Sequence, residues 1–304
     1  MDIIKVLEAY GDVVENEEMR FHTTFRIGGK VRYSFYPFDL KGLKEGIKYL
    51  NNTNMPYKIV GKGSNLLWCD EDVEMVVIYL DRHLNHYEFK DTMVEVEAGA
   101  SIIGLAMQAK NASLSNLEFA SGIPGSVGGC LYMNAGAYKM SMSDIVSEVL
   151  VLKDDEYVWM SNQDLEFGYR TSIFKKHPEW IIVKARMNLI PKDSNEIAEV
   201  MNSRRERRFA TQPLDKPSAG STFKNPEEKP AWQCIEECGL RGKRVGGAMI
   251  SDKHCNFIVN IENATSKDVK DLINLVQKEV KDKFNIDLKT EVEEYTWQEK
   301  RTKN

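Results

Sequence analysis

The sequence predicts an α+β protein of more than one domain, and three observations lead to that prediction. The chain has 304 residues, and roughly 150 residues per domain would give about two domains. Its first two-thirds consists of short apolar segments separated by glycine-rich turns, as in a protein built largely of strands. After residue 193 helical spacing takes over, and a Thr265–Asp268 pair resembles a capping box in front of an amphipathic helix.

The elements follow from the period of the apolar residues, which is about two in a half-buried strand and about 3.6 in a helix. Helices are predicted from Ser101 to Ala109, over EIAEVMNSRRERRF (196–209), from near Ala231, and behind Thr265. The predicted strands are MPYKIV (55–60), EMVVIYL (74–80), MVEVEAG (93–99), EVLVLK (148–153), EYVWM (156–160), EWIIVKARMNLI (179–190) and DLKTEVEEYTW (287–297). The polar residues after Trp297 are predicted to be frayed.

Composition excludes several classes of protein. The hydrophobic fraction of 42% suits a chain with buried cores, and the net charge of -5 gives no general attraction for nucleic acid or an anionic membrane. No apolar run reaches the roughly 20 residues of a membrane span, and the acid-rich N-terminal segment differs from a signal peptide. We therefore expect a cytoplasmic protein without a nucleic-acid or membrane partner.

The cysteines predict no disulfide framework, because they are odd in number and scattered along the chain. Cys234 and Cys238 would face the same side of a helix, with His254 and Cys255 further on, but this spacing matches no standard zinc pattern. We interpret the cysteines as small buried apolar residues and expect no metal. The five are Cys69, Cys130, Cys234, Cys238 and Cys255.

Two glycine-rich segments, GKGSNLL (61–67) and SGIPGSVGG (121–129), are the first candidates for a binding site. Glycine allows a backbone to approach a ligand closely, and successive N–H groups in such a turn form an anion site. Either segment alone would be read as a tight turn. Both together, followed by NAGA (134–137), predict a cradle for a diphosphate. The predicted contacts are Gly61, Lys62, Gly63, Ser64, Asn65, Leu66, Ser121, Gly122, Ile123, Pro124, Gly125, Ser126, Gly128, Gly129, Asn134, Gly136 and Ala137.

Three common motifs do not account for these segments. No stretch supplies the P-loop pattern. The dinucleotide fingerprint G-x-G-x-x-G fails because Leu66 follows Gly61 and Gly63 where the third glycine belongs. A nucleophile elbow at Ser126 fails because Pro124 replaces the required glycine. The cradle therefore belongs to another architecture.

At this point the chain resembles the UDP-N-acetylenolpyruvoylglucosamine reductase (MurB) family over nearly its whole length. The order and spacing of the matching segments make the resemblance specific. They are HTTFRIGG (22–29), GKGSNLL (61–67), SGIPGSVGG with MNAGAY (121–138), GYRTSIF (168–174), PSAGSTFKNP (217–226), GLRGKRVGGAMIS (239–251), HCNFIVN (254–260) and TEV (290–292). The chain resembles the shorter type, without an inserted tyrosine-bearing loop.

The resemblance implies a fold and a cofactor. It implies a two-subdomain FAD-binding fold followed by a smaller α/β substrate-binding domain, with boundaries expected at residues 1–80, 81–192 and 193–304. FAD would be bound without a covalent link, so His22 is interpreted as a surface or turn residue. NADPH would be the reductant, and the protein is expected to be a monomer.

The family's reaction reduces the enolpyruvyl ether of UDP-N-acetylglucosamine to UDP-N-acetylmuramate for peptidoglycan synthesis. By resemblance, Ser221 would give the proton and Arg170 would bind the substrate carboxylate. Glu291 would act beside that carboxylate, with Glu293 or Glu294 as the fallback. Each has a plainer interpretation: Ser221 as a turn cap, Arg170 as a surface ion pair and Glu291 as an exposed strand carboxylate. Lys224 and Asn225 are further expected substrate contacts.

Some features remain open at this level. The run Arg204, Arg205, Arg207 and Arg208 is either a solvated helix face or a contact for the diphosphate of FAD or the UDP-sugar. The chain departs from the family pattern at Lys139, where glycine is expected, and in FATQPLDKP (209–217). The main rival is an FAD-dependent oxidase of the same superfamily. A non-catalytic UDP-sugar or flavin-binding module is the second rival, and a basic-patch nucleic-acid binder is the weakest.

Overall fold

A computed structural model describes residues 3–297 of the chain. The predicted frayed tail after Trp297 lies outside the described residues. The helices found there are α1 (Ile3–Leu7), α2 (Leu40–Asn52), α3 (Ile102–Asn111), α4 (Val127–Tyr132), α5 (Ser194–Thr211), α6 (Ala231–Glu237) and α7 (Ser266–Phe284).

The strands are more numerous than the sequence predicts, and many are very short. They are β1 (Gly11–Glu18), β2 (Lys30–Pro37), β3 (Tyr57–Ile59), β4 (Leu66–Leu67), β5 (Val73–Ile78), β6 (Tyr87–Lys90), β7 (Met93–Glu97), β8 (Leu114–Ser115), β9 (Gly136–Ala137), β10 (Met140–Ser141), β11 (Val146–Lys153), β12 (Glu156–Ser161), β13 (Ile181–Asn188), β14 (Ile190–Pro191), β15 (Arg244–Val245), β16 (Ala248–Ile250), β17 (Ile258–Asn260) and β18 (Glu293–Glu294).

These elements form two compact units, each assembled from several segments. The larger unit comprises the chain up to Glu15, Tyr33–Lys62 and Glu74–Arg207. The smaller unit comprises Asn16–Arg32, Gly63–Val73 and the chain from Arg208 onward. The three-part division expected from the resemblance remains a prediction.

The larger unit contains a five-stranded antiparallel sheet in the order β12-β11-β13-β7-β6. In β7 the buried residues alternate, with Val94 and Val96 inside, as the period-two pattern predicts. Helix α3 begins where Ser101 accepts a hydrogen bond from the Gly104 N–H, as expected for an N-cap serine. Most of a second sheet, β1-β2-β5-β3, also belongs to this unit, and α2 contributes buried Leu43, Ile47 and Leu50.

The smaller unit is built around α7 and the antiparallel sheet β15-β16-β17. The predicted capping box is confirmed, because Thr265 and Asp268 bind each other's backbone N–H groups. The predicted apolar face is confirmed as well, with a half-buried Phe284 at its end. Its buried members are Val269, Leu272, Ile273, Val276 and Val280.

The strand predicted over 287–297 is only partly correct. Within it, Glu293 and Glu294 pair in parallel with Leu66 and Leu67, and Thr290 forms an isolated bridge with Phe223. The rest is irregular, because its hydrogen bonds go to separate short partners rather than to one long strand. Strands β1 and β2 and helix α2 were not predicted.

Two absences within residues 3–297 bear on function. No helix there is both long and apolar enough to cross a membrane. No group of three or more histidine, cysteine, aspartate or glutamate side chains lies close enough together to hold a metal ion. All five cysteines are free thiols, and burial raises the pKa of Cys130 to about 12.

Candidate active site

The two predicted glycine-rich segments meet inside the larger unit. A methyl group added at Gly61 would lie only 2.5 Å from the Ser126 hydroxyl oxygen, so the first segment needs glycine where it passes the second. Ser126 is buried, and its hydroxyl accepts a hydrogen bond from the Gly129 N–H at the start of α4. The predicted juxtaposition of the two segments is therefore present.

Several backbone donors of these segments have no acceptor among the described residues. In the larger unit they are the N–H groups of Gly61, Lys62, Gly122 and Ser126, and in the smaller unit those of Gly63, Ser64 and Asn65. Apart from the exposed Lys62, these residues are buried or half-buried. Buried amides normally have partners, so the set within each unit is what a bound anion such as a phosphate of FAD would complete.

Other glycines of the second segment are already engaged with the protein. The Gly125 N–H donates to the Ile123 carbonyl, and the Gly128 N–H donates to the Ala98 carbonyl at 2.8 Å. With the Gly129 bond to Ser126, these contacts form the turn into α4. If Gly125, Gly128 and Gly129 contact the cofactor as predicted, they would do so because their backbone allows a close approach. Their N–H groups already have acceptors within the protein.

The first segment continues into the smaller unit, where it packs against HTTFRIGG. Gly63 has a φ of +58°, and a methyl group there would lie 2.0 Å from the His22 carbonyl oxygen. The Thr24 N–H donates to the Gly63 carbonyl. The His22 side chain lies 3.4 Å from Glu17. His22 therefore supports the loop through its backbone, in agreement with its interpretation as a turn residue.

Arg170 lies in a tight turn of the larger unit and has a left-handed φ of +55°. The turn is closed by reciprocal hydrogen bonds between Gly168 and Thr171. The Arg170 Nη2 donates to the Gly136 carbonyl at 3.0 Å, which anchors the guanidinium to strand β9. A guanidinium is a planar fork of N–H donors, the geometry that suits a carboxylate.

Asn134 supports this turn through its side chain. Its Nδ2 donates to the Gly168 carbonyl at 3.0 Å, and its Oδ1 accepts from the Ser143 N–H at the same distance. The residue is buried. The Asn134 side chain is thus bound to the protein backbone, and the assignment of Asn134 to the cofactor stays a prediction.

Ser221 lies in the smaller unit at the start of a short extended segment. The next two residues are bound by Asn256, whose carbonyl accepts from the Thr222 N–H at 2.8 Å. The Asn256 side chain accepts a hydrogen bond from the Phe223 N–H and donates one to the Phe223 carbonyl. Asn256 was missed by sequence reasoning, although HCNFIVN was quoted as a matching segment.

Glu291 lies beside that segment. The Glu291 N–H donates to the Thr222 carbonyl at 2.8 Å, so the predicted proton donor and the carboxylate residue sit on neighbouring backbones. The Asn65 side chain donates to the Glu291 carbonyl at 2.9 Å, and the Asn65 carbonyl accepts from the Glu293 N–H. Asn65 thus ties the first glycine-rich segment to the glutamate.

His254 supports this region of the smaller unit. Burial lowers the pKa of His254, which favours the neutral imidazole. Its Nδ1 lies 3.2 Å from the Asn256 N–H and accepts a hydrogen bond from it. The remaining ring proton is therefore on Nε2.

The predicted substrate contacts Lys224 and Asn225 also lie in the smaller unit. The Lys224 N–H donates to the Lys289 carbonyl, which extends the pairing next to Glu291. The Asn225 Oδ1 accepts from the Ala231 N–H at the start of α6. Asn225 therefore has a helix-capping contact and retains its amide N–H groups for other partners.

One arginine of the basic run stacks on the hairpin that anchors Arg170. The Arg204 guanidinium lies 4.5 Å from the centre of the Tyr138 ring, and the Tyr138 hydroxyl donates to the Arg204 carbonyl. Tyr138 and Lys139 both have positive φ values, so lysine occupies a conformation that glycine adopts more easily. This explains why glycine is expected at the Lys139 position.

Similarity to known proteins extends over nearly the whole chain. Residues 212–295 match the model of the UDP-N-acetylenolpyruvoylglucosamine reductase C-terminal domain, and residues 32–161 match that of an FAD binding domain. The reductase of Bacillus licheniformis is 42% identical over 291 residues, 95% of this chain and 96% of that protein. The reductase of Thermotoga maritima is 44% identical over 91% of this chain and 96% of its own length.

The chain belongs to the UDP-N-acetylenolpyruvoylglucosamine reductase family. The crystal structure of the reductase from Thermus caldophilus covers 94% of this chain, with 36% identity and a TM-score of 0.81. The match covers 99% of that chain. The predicted family, the α+β FAD-binding fold and the FAD cofactor are confirmed.

Proposed function

We propose that the chain is an NADPH-dependent enzyme that reduces UDP-N-acetylglucosamine enolpyruvate to UDP-N-acetylmuramate in peptidoglycan synthesis. The observation that carries the proposal is the pairing of Thr222 with Glu291, which sets Ser221 and a carboxylate on adjacent backbones. Ser221 and Glu291 are 70 residues apart in the sequence. A serine next to a glutamate suits a reaction in which a proton is added to a carbon that bears a carboxylate.

FAD, when bound, supplies the hydride that NADPH provides, and the protein supplies position and electrostatics. The backbone donors of Gly61, Lys62, Gly122 and Ser126 would hold its diphosphate from the larger unit. Those of Gly63, Ser64 and Asn65 would do so from the smaller unit.

Arg170 would bind the carboxylate of the enolpyruvyl group. Its planar guanidinium can meet both oxygens, and the Gly136 carbonyl limits its rotation. When the methylene carbon gains a hydride, negative charge spreads from the neighbouring carbon onto that carboxylate. A fixed guanidinium stabilises this charge without reorganising.

Ser221 would donate its hydroxyl proton to the carbon that bears the carboxylate. Serine is a weak acid in water, so the transfer requires a strongly basic carbon and close alignment. Glu291 would act beside that carboxylate. Lys224 and Asn225 would bind other acidic or polar groups of the substrate.

An absorption experiment tests the proposal directly. Purified protein is reconstituted with FAD, reduced anaerobically with NADPH, and then mixed with UDP-N-acetylglucosamine enolpyruvate. We expect the oxidised flavin spectrum to bleach with NADPH and to return with the substrate. Reoxidation by oxygen alone would favour the oxidase, and binding without turnover would favour a non-catalytic module.

We further propose that the enzyme works as a cytoplasmic monomer with the three parts 1–80, 81–192 and 193–304. Light scattering at micromolar concentration tests this, and a mass of two chains would contradict it.

A further inference from the structure

The Asn256 side chain forms a two-bond clamp on the residue pair that follows Ser221. Its Oδ1 accepts from the Phe223 N–H at 2.9 Å, and its Nδ2 donates to the Phe223 carbonyl at 2.8 Å. The amide thus binds both polar groups of one backbone residue, as a neighbouring strand would. Among side chains only asparagine and glutamine carry a donor and an acceptor in this arrangement.

The clamp is protected from water and has a second point of attachment. Asn256 is only 3% exposed, so solvent cannot replace its bonds cheaply. Its carbonyl also accepts from the Thr222 N–H at 2.8 Å. The Thr222 hydroxyl accepts from the Ile258 N–H, which fixes the same residue through its side chain.

The opposite side of this segment is held by the residues around Glu291. The Thr222 carbonyl accepts from the Glu291 N–H, and Phe223 bridges to Thr290. The segment therefore lies between Asn256 on one side and the backbone of Thr290 and Glu291 on the other. A shift of Thr222 would move Ser221 and Glu291 relative to each other.

The residue in front of Ser221 supplies no comparable restraint. Gly220 has a φ of +77°, and a methyl group added there would meet no atom within 4 Å. Glycine is the least restricted residue, so the direction of Ser221 depends on what holds Thr222 and Phe223. Asn256 provides that constraint.

We propose that Asn256 is a positioning residue that aligns the Ser221 hydroxyl for proton transfer. The inference rests on the proposed function, because it matters only if Ser221 delivers the proton. Asn256 itself does not contact the reacting atoms. A weak acid such as serine transfers its proton only in a narrow range of geometry, so a small displacement slows the transfer strongly.

Asn260 offers a matched control in the same segment of chain. Its Nδ2 donates to the Phe25 carbonyl at 3.0 Å, and its Oδ1 accepts from the Ala264 N–H at 2.9 Å. It thus makes two side-chain bonds to backbone, as Asn256 does, but to residues away from Ser221. Asn260→Ala should cost stability without affecting the direction of Ser221.

The experiment separates the two halves of the reaction by stopped-flow absorption on FAD-loaded protein. Asn256→Ala should leave reduction by NADPH within about 2-fold of the parent and slow reoxidation by the enolpyruvyl substrate at least about 10-fold. Asn260→Ala should leave both rates within about 2-fold. Equal slowing of both half-reactions by Asn256→Ala, or reoxidation as fast as in Asn260→Ala, would overturn the proposal.

A double-mutant cycle provides a readout that general loss of structure would not imitate. If Asn256 acts through Ser221, adding Asn256→Ala to the Ser221→Ala variant should slow reoxidation by less than about 2-fold beyond the effect of Ser221→Ala alone. If Asn256→Ala slows the Ser221→Ala variant as much as it slows the parent, the two residues do not act in the same step. If Asn256→Ala does not fold, Asn256→Asp must show the same selective slowing, because it keeps the volume and loses the donor to Phe223. A parent enzyme that the substrate cannot reoxidise would refute the proposed function itself.

Discussion

The Arg170 guanidinium donates from Nη2 to the Gly136 carbonyl, and the turn that carries it is held by Asn134 through the Gly168 carbonyl. The side chain and the backbone of Arg170 are therefore fixed by the same short segment, residues 134–136. An arginine held at both points loses little further freedom when it binds a carboxylate.

Asn134→Ala tests whether this residue binds the cofactor or positions the arginine. We expect full FAD content with a KM for the enolpyruvyl substrate raised about 10-fold, because the amide is bound to Gly168 and Ser143. Asn162→Ala is the control, since it removes bonds to the Ser143 and Val146 carbonyls without touching the turn. Loss of FAD from Asn134→Ala alone would assign the residue to the cofactor.

Ser221→Ala should separate the two half-reactions. NADPH should reduce the bound flavin at nearly the parent rate, because no proton from Ser221 is required. Reoxidation by the substrate should slow by roughly 100-fold or more, as expected when a positioned acid is removed. Ser266→Ala, which removes a buried hydroxyl bound to Asp70, should lower stability and leave both rates alone. Unchanged reoxidation in Ser221→Ala would exclude it as the proton donor.

Gly61→Ala should weaken FAD binding strongly. The added methyl group would meet the Ser126 hydroxyl at 2.5 Å, so the two glycine-rich segments must separate. Gly104→Ala is the matched control, because its methyl group would have ordinary contacts of 3.5 Å or more and alanine favours the helix. FAD stoichiometry after gel filtration measures the outcome. Equal FAD content in the two variants would show that the close passage at Gly61 is not needed.

Asp268→Asn should change how stability depends on pH. Hydrogen bonding from the Thr265 backbone lowers the pKa of Asp268 in the folded protein. The unfolded chain therefore takes up the proton first, so the contribution is complete above about pH 4 and declines as pH falls through the lower folded pKa. We expect the Asp268→Asn variant to lose about 0.5–1 kcal/mol of unfolding free energy at pH 7.

Urea unfolding from about pH 3 to about pH 7 measures this effect. The difference between parent and Asp268→Asn should shrink as the pH falls. Asp271→Asn, which affects only an exposed pair with Lys267, should change the unfolding free energy little at any pH. A constant difference across the range would mean that the charge of Asp268 does not contribute.

Much of the architecture followed from local signals. The alternation in residues 93–99 predicted β7, and the Thr265–Asp268 pair predicted the start of α7, because both are determined by neighbouring residues. Strand β1 was missed because its last four residues are all polar, and β2 was missed although KVRYSF alternates polar and apolar residues. Their positions depend on tertiary pairing, which single-sequence patterns do not contain.

The candidate site was predictable where motif and residue type coincide. Arg170, Ser221 and Glu291 were named from matching segments. Asn256 was not, because a buried amide that binds backbone looks like any polar residue in sequence. Asn65 and Asn134 were assigned to the cofactor from their places in GKGSNLL and NAGA, and that assignment stays a prediction. The structure adds that their side chains bind backbone carbonyls.

The tie between Asn65 and Glu291 also has a consequence for biosynthesis. It joins residues separated by 226 positions, and the parallel pairing of β4 with β18 spans a similar distance. The smaller unit therefore cannot form the β4–β18 pairing until residues beyond 290 have left the ribosome. Most of the larger unit lies in residues that are synthesised earlier. Such long-range closure is slow and leaves early segments unpaired during synthesis. A nascent chain stalled before Glu291 would thus lack both the carboxylate and the partner of its own glycine-rich loop.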